Sequence, residues 1–78
     1  MWWAFVKIYE DAETVRYLYA CESHEPDGEI TCEKHSKKAI VTKPSATTPD
    51  LPGQIWARKK FWTVIDEGFP DKRTVAIG

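Results

Sequence analysis

The sequence predicts an α+β domain: a four-stranded antiparallel β-meander, one amphipathic α-helix packed on one of its faces, and a short C-terminal edge strand. Three observations lead there. Residues 2–43 alternate apolar and polar in short runs broken by turn-forming residues. From about residue 51 the apolar period becomes that of a helix. The 78 residues suffice for one two-layer domain over 1–78.

The first strand is expected over 2–10. Ala4, Val6 and Ile8 point one way; Trp3, Phe5, Lys7 and Tyr9 point the other. Asp11, Ala12 and Glu13 form a short link, so a second strand over 14–23 should close a hairpin with Glu10 opposite Thr14. Pro26-Asp27-Gly28 is the clearest turn signal. Proline presets φ and glycine accepts the left-handed position, which predicts a three-residue turn with Glu25 opposite Glu29. The third strand then runs over 29–35, Ser36-Lys37 turns the chain, and the fourth strand covers 38–43 up to Pro44. With these turns Ala4, Val6, Ile8, Leu18, Ala20, Ile30, Cys32, Ala39 and Val41 share one nearly charge-free face. That face is the expected core.

Residues 44–53 read as a loop rich in Pro, Ser and Thr. Asp50 is the expected N-cap of a helix over 51–67, with Pro52 in its first turn. Leu51, Ile55, Ala57, Phe61, Trp62, Val64 and Ile65 fill half of the wheel, and Arg58 falls within that arc. Gly68 is the expected C-terminal cap, Phe69 folds back on Val64, and Pro70 stops the helix. A short strand is expected over 74–77. Neither an internal repeat nor a low-complexity tract occurs.

With 42% hydrophobic residues and four tryptophans, the chain has a globular rather than a disordered composition. The formal net charge of −1 gives no global field toward nucleic acid or anionic lipid. The apolar N-terminus lacks a basic leader and is interrupted by Lys7, Glu10 and Asp11, so it does not read as a signal peptide. No run approaches the ~20 apolar residues that span a bilayer. A cytoplasmic protein without a membrane partner is expected.

Cys21-Glu22-Ser23-His24 and Cys32-Glu33-Lys34-His35 duplicate a C-x-x-H pattern that resembles a zinc site. Residues three apart on a strand face opposite ways, however. The predicted register puts Cys32 and His24 on the core side and Cys21 and His35 on the outer side. The four are therefore candidates on paper that the strands keep apart. No bound metal, cofactor, disulfide or catalytic dyad is expected, and no catalytic residue is assigned.

If the helix covers the even-numbered face, the other carries Trp3, Phe5, Tyr9, Tyr17, Tyr19 and Ile40. So aromatic a surface marks an interface. The leading expectation is a small non-enzymatic interaction module that forms a homodimer through these six residues, or pairs there with another protein. A domain this size has a margin of only ~5 kcal/mol, which a second copy would widen. Two alternatives remain. One is single-stranded nucleic-acid binding by the basic turn (Lys34, His35, Lys37, Lys38) and the helix (Arg58, Lys59, Lys60 with Trp56); the acidic residues and the absence of a known motif weigh against it. The other is a zinc-stabilised domain.

Overall fold

The computed structural model describes residues 1–76; Ile77, the end of the expected last strand, lies outside them. The elements follow in the order β1 (Trp2–Glu10), β2 (Thr14–Cys21), β3 (Gly28–Glu33), β4 (Lys38–Lys43), α1 (Leu51–Asp66) and β5 (Lys72–Ala76). The five strands form one antiparallel sheet, ordered β4-β3-β2-β1-β5. The α+β class, the meander, the helix and the edge strand are all present, and β5 pairs beside β1, with Trp3 opposite Val75.

The helix ends follow their chemistry. The Asp50 side chain accepts a hydrogen bond from the Gly53 N–H at 3.0 Å, with Pro52 in the first turn. At the other end Gly68 has φ +79° and Phe69 φ +62°. The Phe69 N–H donates to the Val64 carbonyl and the Gly68 N–H to the Ile65 carbonyl, a Schellman cap. Phe69 folds back on the core as expected.

The packing face of β1 and β2 is the reverse of the expected one. Trp3, Phe5, Val15, Tyr17 and Tyr19 are buried under α1, together with Ile30 and Cys32. Ala4, Val6 and Leu18 are half-buried on the opposite face, and Ile8 is exposed. The first hairpin is in the expected register, with Phe5 opposite Tyr19 and Val6 opposite Leu18. The β3–β4 hairpin keeps Ile30, Cys32, Ala39 and Val41 on one face, also as expected. The error lies in the connection between these two halves. The chain runs through a longer loop, residues 22–27, with Glu22 at φ +53°. Tyr17 therefore sits opposite Ile30, whereas the expected turn would have placed it opposite Lys37. An odd displacement of this kind exchanges the two faces.

The reason is area. Aromatic side chains bury about 150–250 Å² each, and apolar area removed from water contributes ~25 cal/mol per Å². Trp3, Phe5, Tyr17 and Tyr19 therefore outweigh Ala4, Val6, Leu18 and Ala20. Burying the tyrosines costs little, because their hydroxyls find partners. Tyr17 donates to the Pro70 carbonyl, and Tyr19 accepts from the Ser45 N–H at 3.0 Å. Phe61 of α1 anchors the two layers, edge-on to Phe5 at 5.5 Å and to Tyr17 at 5.2 Å. Ala57, Val64 and Ile65 bury beside it, while Leu51, Ile55 and Trp62 of the expected apolar arc are exposed.

A bulge at Ile8 follows, between Lys7 opposite Tyr17 and Tyr9 opposite Arg16. It turns Tyr9 to the outer face, where the Arg16 guanidinium lies over its ring at 5.8 Å. Lys7 pairs with Glu10 at 2.6 Å and Asp71 at 3.3 Å.

The loop after β4 is also tied to the 22–27 loop by one carboxylate. Asp27 accepts from the Ser45 hydroxyl and the Ala46 N–H, which hold its carboxyl below the usual carboxylate range. Glu10, Asp11 and Glu29 are depressed in the same sense by their own hydrogen bonds, from Lys34, Tyr9 and Arg16 respectively. Lowered folded-state values stabilise the protein above the unfolded values, and that stabilisation is lost as the pH falls through the folded ones. The thermal midpoint should hold steady from pH 7 to about pH 5 and then drop below ~pH 4, the ordinary carboxylate range. Scanning calorimetry across that window checks this. In Asp27→Asn the drop should be smaller, because one contributor is gone.

Candidate functional site

Two grooves flank α1, one on its β4 side and one on its β1 side. The first holds about 370 Å³ and is lined by Lys37, Lys38 and Ala39 at the start of β4 and by Ile55, Arg58, Lys59 and Trp62 of α1. Lys37 has φ +57° in the tight turn after β3. That turn carries its side chain and that of Lys38 up beside the helix. Arg58, Lys59, Ile55 and Trp62 recur at three- and four-residue steps, so they share a helix face. Trp62 is 50% exposed. None of the ion pairs found among the described residues involves Lys37, Lys38, Arg58 or Lys59. The groove thus offers three cations, Lys37, Lys38 and Arg58, and one accessible indole with no carboxylate in its lining.

The basic residues singled out by the sequence are only partly gathered here. Lys34 turns back to Glu10 at 2.5 Å and to the Phe69 ring. His35 is exposed in the turn. Lys59 and Lys60 both place an ammonium over the Trp56 ring, at 5.1 and 5.3 Å, but Trp56 lines the other groove. Trp62, read from the wheel as a core residue, is the indole on the basic side. Only the crossing of α1 over the sheet could reveal that.

The second groove holds about 490 Å³ between the start of β1 and the start of α1. Met1, Trp3, Cys21, Thr48, Asp50, Gly53 and Trp56 line it. It is mostly apolar. Trp3 is 1% exposed, and its Nε1 is buried without a hydrogen-bond acceptor. Thr48 Oγ1 also lacks a well-aligned bond, although it lies beside the Tyr19 hydroxyl. No sequence pattern announces this groove, because its lining comes from three separate segments.

The expected interface set is dispersed. Trp3, Phe5, Tyr17 and Tyr19 are core residues at 0–1% exposure and cannot form an outer surface. Tyr9 and Ile40 are exposed at 44% and 55%. The open sheet face instead carries Trp2, Ala4, Val6, Leu18 and Ile40, and no described element packs over it.

The Cys/His pattern is dispersed as well. Cys21 does not face away from Cys32; both side chains lie on the helix side of the sheet. Cys32 is opposite Val15, six residues along β2 from Cys21, or about 20 Å. Both thiols are free, and burial pushes both upward, so neither is an activated nucleophile. His24 stacks against Trp2 at 4.9 Å and His35 lies at the β3–β4 turn. Among the described residues no three His, Cys, Asp or Glu side chains converge on one point. No described helix is long and apolar enough to cross a membrane.

Comparison with protein-family models, with curated proteins and with solved structures gives no match for this chain.

Proposed function

We propose that this chain is a small, non-enzymatic, cytoplasmic module that binds single-stranded nucleic acid in the groove between α1 and the β3–β4 turn. The observation that carries the reading is the gathering of Lys37, Lys38 and Arg58 beside the half-exposed Trp62 with no carboxylate in the lining. Unpaired cations take the place of condensed counterions along a phosphate backbone. An indole among them gives one base a stacking surface, worth about 1–3 kcal/mol and indifferent to sequence. Stacking needs an unpaired base, so duplex should compete poorly. Two free thiols suit a reducing compartment.

A fluorescein-labelled oligothymidylate tests this by anisotropy. Three phosphate contacts predict that log K falls with log salt at a slope of about −2 on a single strand. Trp62→Ala should weaken binding roughly tenfold or more with the slope unchanged, since a base stack neutralises no phosphate and releases no counterion. Lys37→Glu with Arg58→Glu should abolish it. Absence of binding at low salt sinks the reading.

A second reading, self-association, draws on the open sheet face. Trp2, Val6, Leu18 and Ile40 supply apolar area there that no described element covers, and a partner copy would add to a small core. Sedimentation equilibrium at tens of micromolar decides it. A monomer, or a dimer unaffected by Ile40→Glu, removes it.

A further inference from the structure

We infer that a single strand held in the basic groove continues across the outer side of α1 and stacks a second base on Trp56, an inference that rests on the nucleic-acid reading of that groove. α1 presents two half-exposed indoles, Trp62 at 50% and Trp56 at 48%. They are six residues apart, which is about 9 Å along the axis and about a third of a turn around it. Lys59 stands three residues from each, midway between them on the solvent side. It lines the basic groove, and its ammonium lies 5.1 Å from the centre of the Trp56 ring. Lys60 places a second ammonium 5.3 Å from the same ring.

An exposed indole flanked by lysines is what a strand needs at each step: a flat face for a base and a cation for the phosphate beside it. The buried side of α1 is filled by Ala57, Phe61, Val64 and Ile65, so both indoles leave about half of their surface to water. Helical spacing of three and four residues brings the Lys59 and Lys60 ammoniums onto Trp56 in the free protein. An exposed ammonium–indole contact is weaker than a base stack. Each ammonium also gains a phosphate when it leaves the ring, so the exchange favours the strand. The carboxylates of the helix lie off this path. Asp50 caps the first turn and accepts from the Gly53 N–H. Asp66 lies one turn beyond Trp62, away from Trp56, and Glu67 is paired with Arg73. At the ~3.4 Å spacing of a stacked strand, a site that includes both rings takes at least about four nucleotides.

A fluorescein-labelled thymidine octanucleotide, long enough to reach both rings, tests this by anisotropy over a salt series. Lys59 and Lys60 raise the phosphate contacts from three to five, so the slope is expected to steepen from the groove's own value of about −2 to about −3.5. Lys59→Gln with Lys60→Gln should return it to about −2. Trp56→Ala should weaken binding roughly tenfold with the slope unchanged, because one stack is lost and no phosphate contact is. Trp56 is exposed, so this variant keeps the fold, which far-UV circular dichroism checks. If the indole serves only to hold the two lysines, Trp56→Ala frees them and leaves affinity unchanged or raised, which overturns the inference. A wild-type slope that stays near −2 overturns it too. When either result comes with weaker binding by Trp62→Ala, the groove reading stands without this extension. No binding of the octanucleotide at low salt overturns both.

Discussion

Phe61→Ala is expected to unfold most of the protein at room temperature. The ring is fully buried and meets Phe5 and Tyr17 edge-on, so it joins the helix to both central strands at once. Truncating a buried phenylalanine costs about 3–5 kcal/mol in transfer and cavity terms, against a total near 5 kcal/mol for a domain of this size. Edge-to-face pairing adds about 0.5–1.5 kcal/mol for each aromatic pair beyond area alone. Far-UV circular dichroism under urea measures the loss. A cost under about 1 kcal/mol would mean that α1 is not seated on this face of the sheet. Trp62→Ala, one residue along but exposed, should change stability by no more than ~0.5 kcal/mol. The contrast between neighbours reads out helix orientation directly.

The second large effect concerns a glycine that the sequence assigns to a turn. Gly28 opens β3 opposite Tyr19, and the phenol ring lies on it. A Cβ there would fall 2.4 Å from Tyr19 Cε1 and 2.8 Å from the Ser45 backbone nitrogen. The ring cannot retreat, because its hydroxyl is held by Ser45 and its other side is core. Gly28→Ala should therefore cost about 3 kcal/mol, at the upper end for overpacking. Strand glycines commonly mark such a close approach. A double-mutant cycle with Tyr19→Val should show strong non-additivity, since the smaller side chain relieves the clash. Additive costs would place the strain elsewhere.

Gly28 also explains which part of the fold was legible. Caps depend on neighbouring residues, so Asp50, Pro52, Gly68 and Phe69 announced the helix and its ends. Short links fix register, so Glu10 opposite Thr14 gave the first hairpin correctly for Trp3 to Lys7. Pro26-Asp27-Gly28 carries the chemistry of a tight turn, yet the glycine is needed under the Tyr19 ring, and the chain turns earlier. Nothing local distinguishes these two uses of glycine. The first hairpin has apolar side chains on both faces, so its pattern offers no check, and its charge-free face is not the one with the greater aromatic area. Everything inferred about surfaces inherited that exchange: Trp3, Phe5, Tyr17 and Tyr19 passed from interface to interior. The basic groove was half visible. Its two clusters were identifiable, but their meeting around Trp62 depends on how α1 crosses β4, which is a tertiary fact. The Trp3–Trp56 groove draws on three segments and leaves no trace in the pattern.

The two rims of the sheet bear on how copies of this chain meet. β4 begins and ends in lysine, departs from regular pairing opposite Glu29 and Ile30, and is followed at once by Pro44. β5 begins with Lys72 and Arg73. Charged, short or irregular outer strands resist hydrogen bonding to another chain. Ladder extension into a continuous ten-stranded ribbon is thereby discouraged at both ends. Edges of this kind make amyloid-like stacking of the native state a poor competitor.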